Sequence, residues 1–240
     1  MQPTPSHRRL LTRRHLLQLS GLSGAGLLLD SCGAPLYSRQ VSKVFEPLNQ
    51  RVEELLLSPQ TPAPEYPLSA VEPEALLINS FDGTPQIDLA TFQLTVDGAV
   101  NRPMQISLAD LQAMPLTSMV IRHVCVEGWA AIVQWGGVRL RDIAALVQPK
   151  PEARYVYFQS ADNYYESWDL PSALHPQTLM AYQKNGVPLP AENGAPLRLA
   201  APIKLGYKQS KWVTRITFTA NLSEQQGYWE DRGYEWFAGL

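Results

Sequence analysis

The stretch IRHVCVEGWAAIVQWGG, residues 121–137, decides how the rest of the chain is read. Side chains of an extended segment alternate between faces, so Arg122 and Val124 share one face and His123 and Cys125 the other. The strand is expected to end at Cys125 and to run into a loop rich in Gly and Trp. Three readings of Cys125 stand side by side. A lone thiol is most often simply buried. With His123 two residues away it could begin a zinc site, but a closed site takes four Cys or His ligands. Outside the first 32 residues only His175 remains to add. Third, Cys125 could be a nucleophile activated by His175, as in cysteine hydrolases. The segment SALHPQTLM, residues 172–180, reads equally well as a histidine that holds a loop by hydrogen bonds.

Further along, residues 185–216 read NGVPLPAENGAPLRLAAPIKLGYKQSKWVTRI and gather Arg198, Lys204, Lys208, Lys211 and Arg215 within 18 positions. Two Asn-Gly turns, at Asn185 and Asn193, supply tight backbone bends where N–H groups can cradle phosphate. Such a cluster suits a half-buried anion, or else a solvated hairpin face. Between these stretches lie short runs rich in β-branched and aromatic residues: FQLTVDGAV (92–100), RYVYFQS (154–160), LRLAAP (197–202) and WVTRITFTA (212–220). Helical signals are few: SLADLQAMP (107–115), with Ser107 as a cap and Asp110 three residues on, and RLRDIAALV (139–147). Most of the 20 prolines fall between the runs. The pattern predicts an α+β domain dominated by twisted mixed sheet, without internal repeats.

At 240 residues, 45% hydrophobic and 18% charged, the chain has room for one packed domain plus a leader. Residues 1–32 carry Arg8, Arg9, Arg13 and Arg14 against Asp30, a balance of +3, so the remainder holds −5 of the net −2. An acidic body without a basic stripe excludes the nucleic-acid binders, whose affinity rests on clustered cations. The basic start, the apolar run LLQLSGLSGAGLLL (16–29) and the small-residue patch after it form an export leader too short to span a bilayer. Arg13 and Arg14, directly before His-Leu-Leu, match the twin-arginine arrangement, which exports proteins folded with their cofactors. Cys32 ends LLDSC, a loose lipoprotein box, so a lipid on Cys32 is one possible membrane tether. Residues 33–75 are expected to be an arm: an amphipathic helical stretch over 38–59, then the proline-rich connector TPAPEYP (61–67). The main domain is expected over 76–240.

Three ordered matches carry a resemblance over residues 76–238: CVEGW (125–129) with a following Trp-Gly, ALHPQTLMAYQKNGVPLPAENGAPLRL (173–199), and KLGYKQSKW (204–212). Together they resemble the sulfite oxidase-like molybdopterin-dependent oxidoreductases, in particular the periplasmic methionine sulfoxide reductase catalytic subunits. The resemblance implies a sulfite-oxidase-type molybdopterin-binding fold and a molybdenum-molybdopterin cofactor. It gives Cys125 as thiolate ligand to molybdenum, a soft donor suited to a sulfur-rich site. It places Asn79, Asp82, Gly83, Ser160, Asn193, Arg198, Gln209, Ser210 and Lys211 against the cofactor. Glu127 is implied as a proton-handling group beside the metal, and Tyr234, in WEDRGYEWF (229–237), as an active-site tyrosine.

One departure bears on the substrate: sulfite oxidases show Arg-Asn-His where this chain has Ile78, Asn79 and Ser80. The missing arginine helps hold sulfite, so the resemblance implies reduction of an S-oxide or N-oxide. Sulfite oxidation with a cytochrome is the alternative, and a metal-free cysteine hydrolase using Cys125 and His175, or a binding module, is the alternative of another class. No C-x-x-C-H haem motif is present. Electrons are therefore expected to pass through a separate partner, a membrane haem protein or a soluble cytochrome, in the periplasm.

Overall fold

The computed structural model describes residues 61–80 and 83–240, together with Val52. The leader, Cys32, nearly all of the amphipathic stretch and Asp82 lie outside the described residues. Two five-stranded sheets carry the domain. The first contains β1 (Gln93–Gly98), β2 (Met104–Ser107), β5 (Tyr155–Ser160), β6 (Tyr165–Asp169) and β10 (Val213–Thr219), in the order β2-β1-β10-β5-β6. Only its β1–β10 pair is parallel, so this sheet is mixed. The second runs β3 (Thr117–Val124), β4 (Ala130–Arg139), β7 (Leu179–Lys184) and β8 (Val187–Pro188), with β9 (Arg198–Ala200) also paired to β7.

The helices are short: α1 (Leu108–Ala113), α2 (Leu140–Val147) and α3 (Leu170–Ala173). A reciprocal box caps α1, Ser107 Oγ accepting from Asp110 N and Asp110 Oδ2 accepting from Ser107 N, both at 3.1 Å. Leu140, Ile143, Ala144 and Val147 give α2 one buried face. These residues join Leu94, Val96, Phe158, Ile216 and Phe218 in the larger core. A second core, around Ile121, Val133, Trp135, Leu179 and Ala181, backs the β3–β4–β7 sheet. Among the described residues no helix is long and apolar enough to cross a membrane.

The expected loop after Cys125 is much shorter than the sequence suggested. Only residues 126–129 turn, and β4 then runs for ten residues. Ala131, Val133 and Trp135 alternate into the core, which is a strand signal hidden by the glycines that follow. Gly136 and Gly137 serve close packing. A Cβ on Gly137 would lie 2.6 Å from Ala181 Cα on β7. The first Asn-Gly pair does form a hairpin turn, with Asn185 at φ 52° and Gly186 at φ 79° between β7 and β8.

Candidate active site

Alternation along β3 holds. His123 and Cys125 line one cavity of about 400 Å³, whereas Arg122 and Val124 line a different one. Beyond Val124 the strand stops, and Cys125 N donates to Trp129 O at 2.9 Å while Gly128 N returns to Cys125 O at 3.1 Å. Gly128, at φ 90°, permits this tight turn. The turn folds Glu127 back over the thiol, so the two side chains meet for a reason other than strand alternation.

Glu127 Oε2 is the hub of the resulting cluster. It accepts from Asn79 Nδ2 at 2.8 Å and Trp129 Nε1 at 2.9 Å, and Cys125 Sγ lies 3.6 Å away. The Trp129 bond, then those from Asn79 and Cys125, hold the Glu127 carboxyl below the usual carboxylate range. Burial pushes the Cys125 thiol up. Lys211 Nζ donates to the carbonyls of Asn79 and Glu192, which ties the segment before residue 80 to the basic loop.

Cations line the same cavity. Arg198 is buried, stacks 4.4 Å over Trp135, and donates to the carbonyls of Leu199 and Asn193. Among the described residues it meets no carboxylate in an ion pair. Burial brings its guanidinium down to about 9 and the Lys211 ammonium down to about 8. His123 is pushed to about 3, first by burial and then by Arg198, so its imidazole is neutral. The Ser210 hydroxyl is buried without a hydrogen-bond partner.

Besides His123, nine residues that the resemblance implicates line this one cavity: Asn79, Cys125, Glu127, Asn193, Arg198, Gln209, Ser210, Lys211 and Tyr234. Gly83 and Ser160 do not, although Ser160 is buried with an unpartnered hydroxyl. Asp162, two residues on, lines it instead. Gln209 is spent on the backbone, holding Ala201 and Lys204 carbonyls at 2.9 Å. The five-cation cluster splits. Lys204 pairs with Asp169, Lys208 with Glu166 and Glu230, and Arg215 with Asp97, which leaves Arg198 and Lys211 for the cavity. Trp212, Trp229, Tyr164 and Tyr207 also line it and escaped the sequence reading, although Trp212 is the last residue of the KLGYKQSKW motif. Trp212 sits at φ 51°, a conformation that costs a large side chain on the order of 1–3 kcal/mol and clusters at functional sites.

His175 lies elsewhere: it is buried, does not line the cavity, and its Nδ1 accepts from Gln177 N at 3.1 Å. That is the loop-holding role, and it removes the partner a cysteine hydrolase would need. Among the described residues no group of three or more His, Cys, Asp or Glu could hold a metal, which closes the zinc reading there.

A family model described as an oxidoreductase molybdopterin binding domain matches residues 81–229. The chain belongs to that family. Among relatives of the molybdopterin-binding oxidoreductases, YedZ1 of Azospira oryzae, named as a candidate protein-methionine-sulfoxide reductase subunit, is 39% identical over 96% of this chain and 88% of its own. The protein-methionine-sulfoxide reductase catalytic subunit MsrP of Ralstonia nicotianae is 35% identical over 53% of this chain, which spans 43% of that protein. The sulfane dehydrogenase SoxCD of Paracoccus pantotrophus shares the fold at TM-score 0.59 and 21% identity, over 69% of this chain and 50% of that one. The protein is thus a molybdopterin-dependent oxidoreductase with the expected sulfite-oxidase-type α+β fold, and its cofactor is molybdenum-molybdopterin. The residues fit that group: one cavity holds a soft thiol together with a buried arginine without a carboxylate, a lysine and an unpartnered serine hydroxyl suited to a phosphate.

Proposed function

We propose that this oxidoreductase catalyses two-electron oxygen-atom transfer in the direction of reduction, acting on a neutral S-oxide or N-oxide. The reading rests on the character of the cavity mouth. Leu77, Ile78, Val126 and Trp229 line it and are exposed, and no cation stands at position 78 to hold an anion such as sulfite. A neutral oxide with apolar substituents suits such a rim.

Cys125 is the protein's ligand to molybdenum. Arg198, Lys211, Ser210 and Asn193 hold the anionic end of the cofactor, with Gln209 shaping their loop; for Asp82, Gly83 and Ser160 a cofactor contact rests on the family resemblance alone. The bound metal centre supplies the two-electron exchange with oxygen. Asn79 and Trp129 aim Glu127 at the thiol, so this carboxylate is placed to hold or pass a proton beside Cys125. Tyr234 and Trp229 line the cavity at its exposed side, where a substrate would meet them.

The wider setting belongs to the same proposal. Residues 1–32 are an export leader, 33–75 an arm and 76–240 the catalytic domain, acting in the periplasm on a small-molecule substrate. A separate haem protein of the membrane or a soluble cytochrome exchanges electrons with it.

Two measurements test this. Protein from a host that makes molybdopterin should contain molybdenum in stoichiometric amount, lost in Cys125→Ser while the chain still folds. With reduced viologen it should turn over methionine sulfoxide or trimethylamine N-oxide. Faster oxidation of sulfite with ferricyanide than reduction of any oxide would reverse the proposed direction.

A further inference from the structure

Away from the metal ligand, three ionisable side chains meet in a site from which water is excluded. Lys208 Nζ donates to Glu166 Oε1 and to Glu230 Oε1, each at 2.5 Å, and all three side chains are buried. The second oxygen of each carboxyl has no hydrogen-bond partner. Fully ionised, the group would carry one net negative charge in a low-dielectric interior, which is costly. Burial pushes the Glu166 carboxyl well above the usual range, which favours a proton on Glu166 and lowers that cost.

The three residues come from three parts of the chain, which also meet through a bridge between Glu166 and Gly227, the Trp168 Nε1 bond to Lys208 O and the Tyr207 hydroxyl bond to Glu235 O. Glu166 is on β6, with Ser167 N donating to it at 2.7 Å. Lys208 directly precedes Gln209, Ser210 and Lys211, which line the cavity. Glu230 stands between Trp229 and Tyr234, the aromatic pair at the cavity mouth, whose rings are 5.1 Å apart. Gly227 packs so closely that a Cβ there would overlap the Glu230 carboxylate.

We propose that Glu166, Lys208 and Glu230 are positioning residues: a buried clamp that fixes the aromatic wall of the mouth relative to the cofactor loop. One clamp thereby sets both the grip on the cofactor and the shape of the entrance.

Amide hydrogen exchange on the holoenzyme tests the clamp without depending on the substrate proposed above. In Glu230→Ala, exchange in residues 206–211 and in residues 227–234 should rise together by about tenfold or more, the change expected from loss of one charged hydrogen bond, with β4 and β5 unaffected. Glu230→Gln keeps an acceptor for Lys208 and should exchange as wild type does. Steady-state kinetics on an accepted oxide should show the same contrast, KM rising in Glu230→Ala with kcat little changed, and recovery in Glu230→Gln. Loosening of only one of the two segments in Glu230→Ala, or of neither, overturns the clamp. If Glu230→Ala does not fold, Glu230→Gln decides alone: wild-type exchange supports the clamp and loosened exchange overturns it.

Discussion

Arg198 shows how far a single buried side chain constrains what the cavity holds. A guanidinium cannot shed its charge at neutral pH, and here its hydrogen bonds go to neutral carbonyls while a tryptophan face covers it. An anion is the partner that compensates its desolvation. Arg198→Met should therefore lower the pterin content of purified protein, read by fluorescence of the oxidised extract, consistent with about tenfold or more weaker binding. The cofactor-free chain should melt no lower than wild type, because the substitution removes an uncompensated buried charge. A large drop in the melting temperature of the cofactor-free variant would mean that Arg198 serves the core instead. At this scale the sequence was legible where a motif fixed the residue, as for Cys125, Asn193, Arg198 and Lys211. Lys204 and Lys208 have the same chemistry and adjacent positions, and only their buried carboxylate partners, 35 and 22 or more residues away, turn them from the cavity.

At the scale of elements, β4 is the informative case. Its alternation was present in the sequence, but a Gly-Gly pair beside a tryptophan reads locally as a loop. What those glycines answer is the approach of β7, a long-range fact absent from any local window. Gly137→Ala should destabilise the protein by about 1–3 kcal/mol, since backbone rather than a flexible side chain would have to give way. Because β4 pairs with β3 and so supports Cys125, thermal melts should show the loss together with a reduced molybdenum content. Ser107→Ala offers the contrast. Removing the α1 cap should cost about 1 kcal/mol in the same melts and leave the metal content alone. The cap was legible because it is local, with donor and acceptor three residues apart.

Over the whole molecule, the buried triad leaves a signature in the pH dependence of stability. The groups facing Glu166 are Lys208, Glu230 and the Tyr164 phenol, with the Tyr207 ring 6.0 Å from the Lys208 ammonium. The folded state keeps a proton on the carboxyl that the unfolded chain releases near 4.5. Folded protein then binds more protons than unfolded, so stability falls as pH rises from about 4.5 towards the elevated value. The slope approaches about 1.4 kcal/mol per pH unit where the two states differ by one full proton. Denaturant titrations at several pH values should show this decline, and Glu166→Gln should flatten it. A wild-type curve already flat across that range would show that the proton is not held.

The two-faced strand β3 also says something about how this molecule can change over generations. Its odd-numbered positions from Met119 to His123 are buried, His123 and the Cys125 that follows facing the cavity, while Arg122 and Val124 border another. Point substitutions there alter one side and spare the other. A one-residue insertion or deletion would exchange the sides, carrying Arg122 towards the Cys125 cavity and His123 away from it. Descendants of this chain are therefore free to vary the chemistry of residues 117–124 but not their number, and tolerated changes of length belong in the turns that the strand connects.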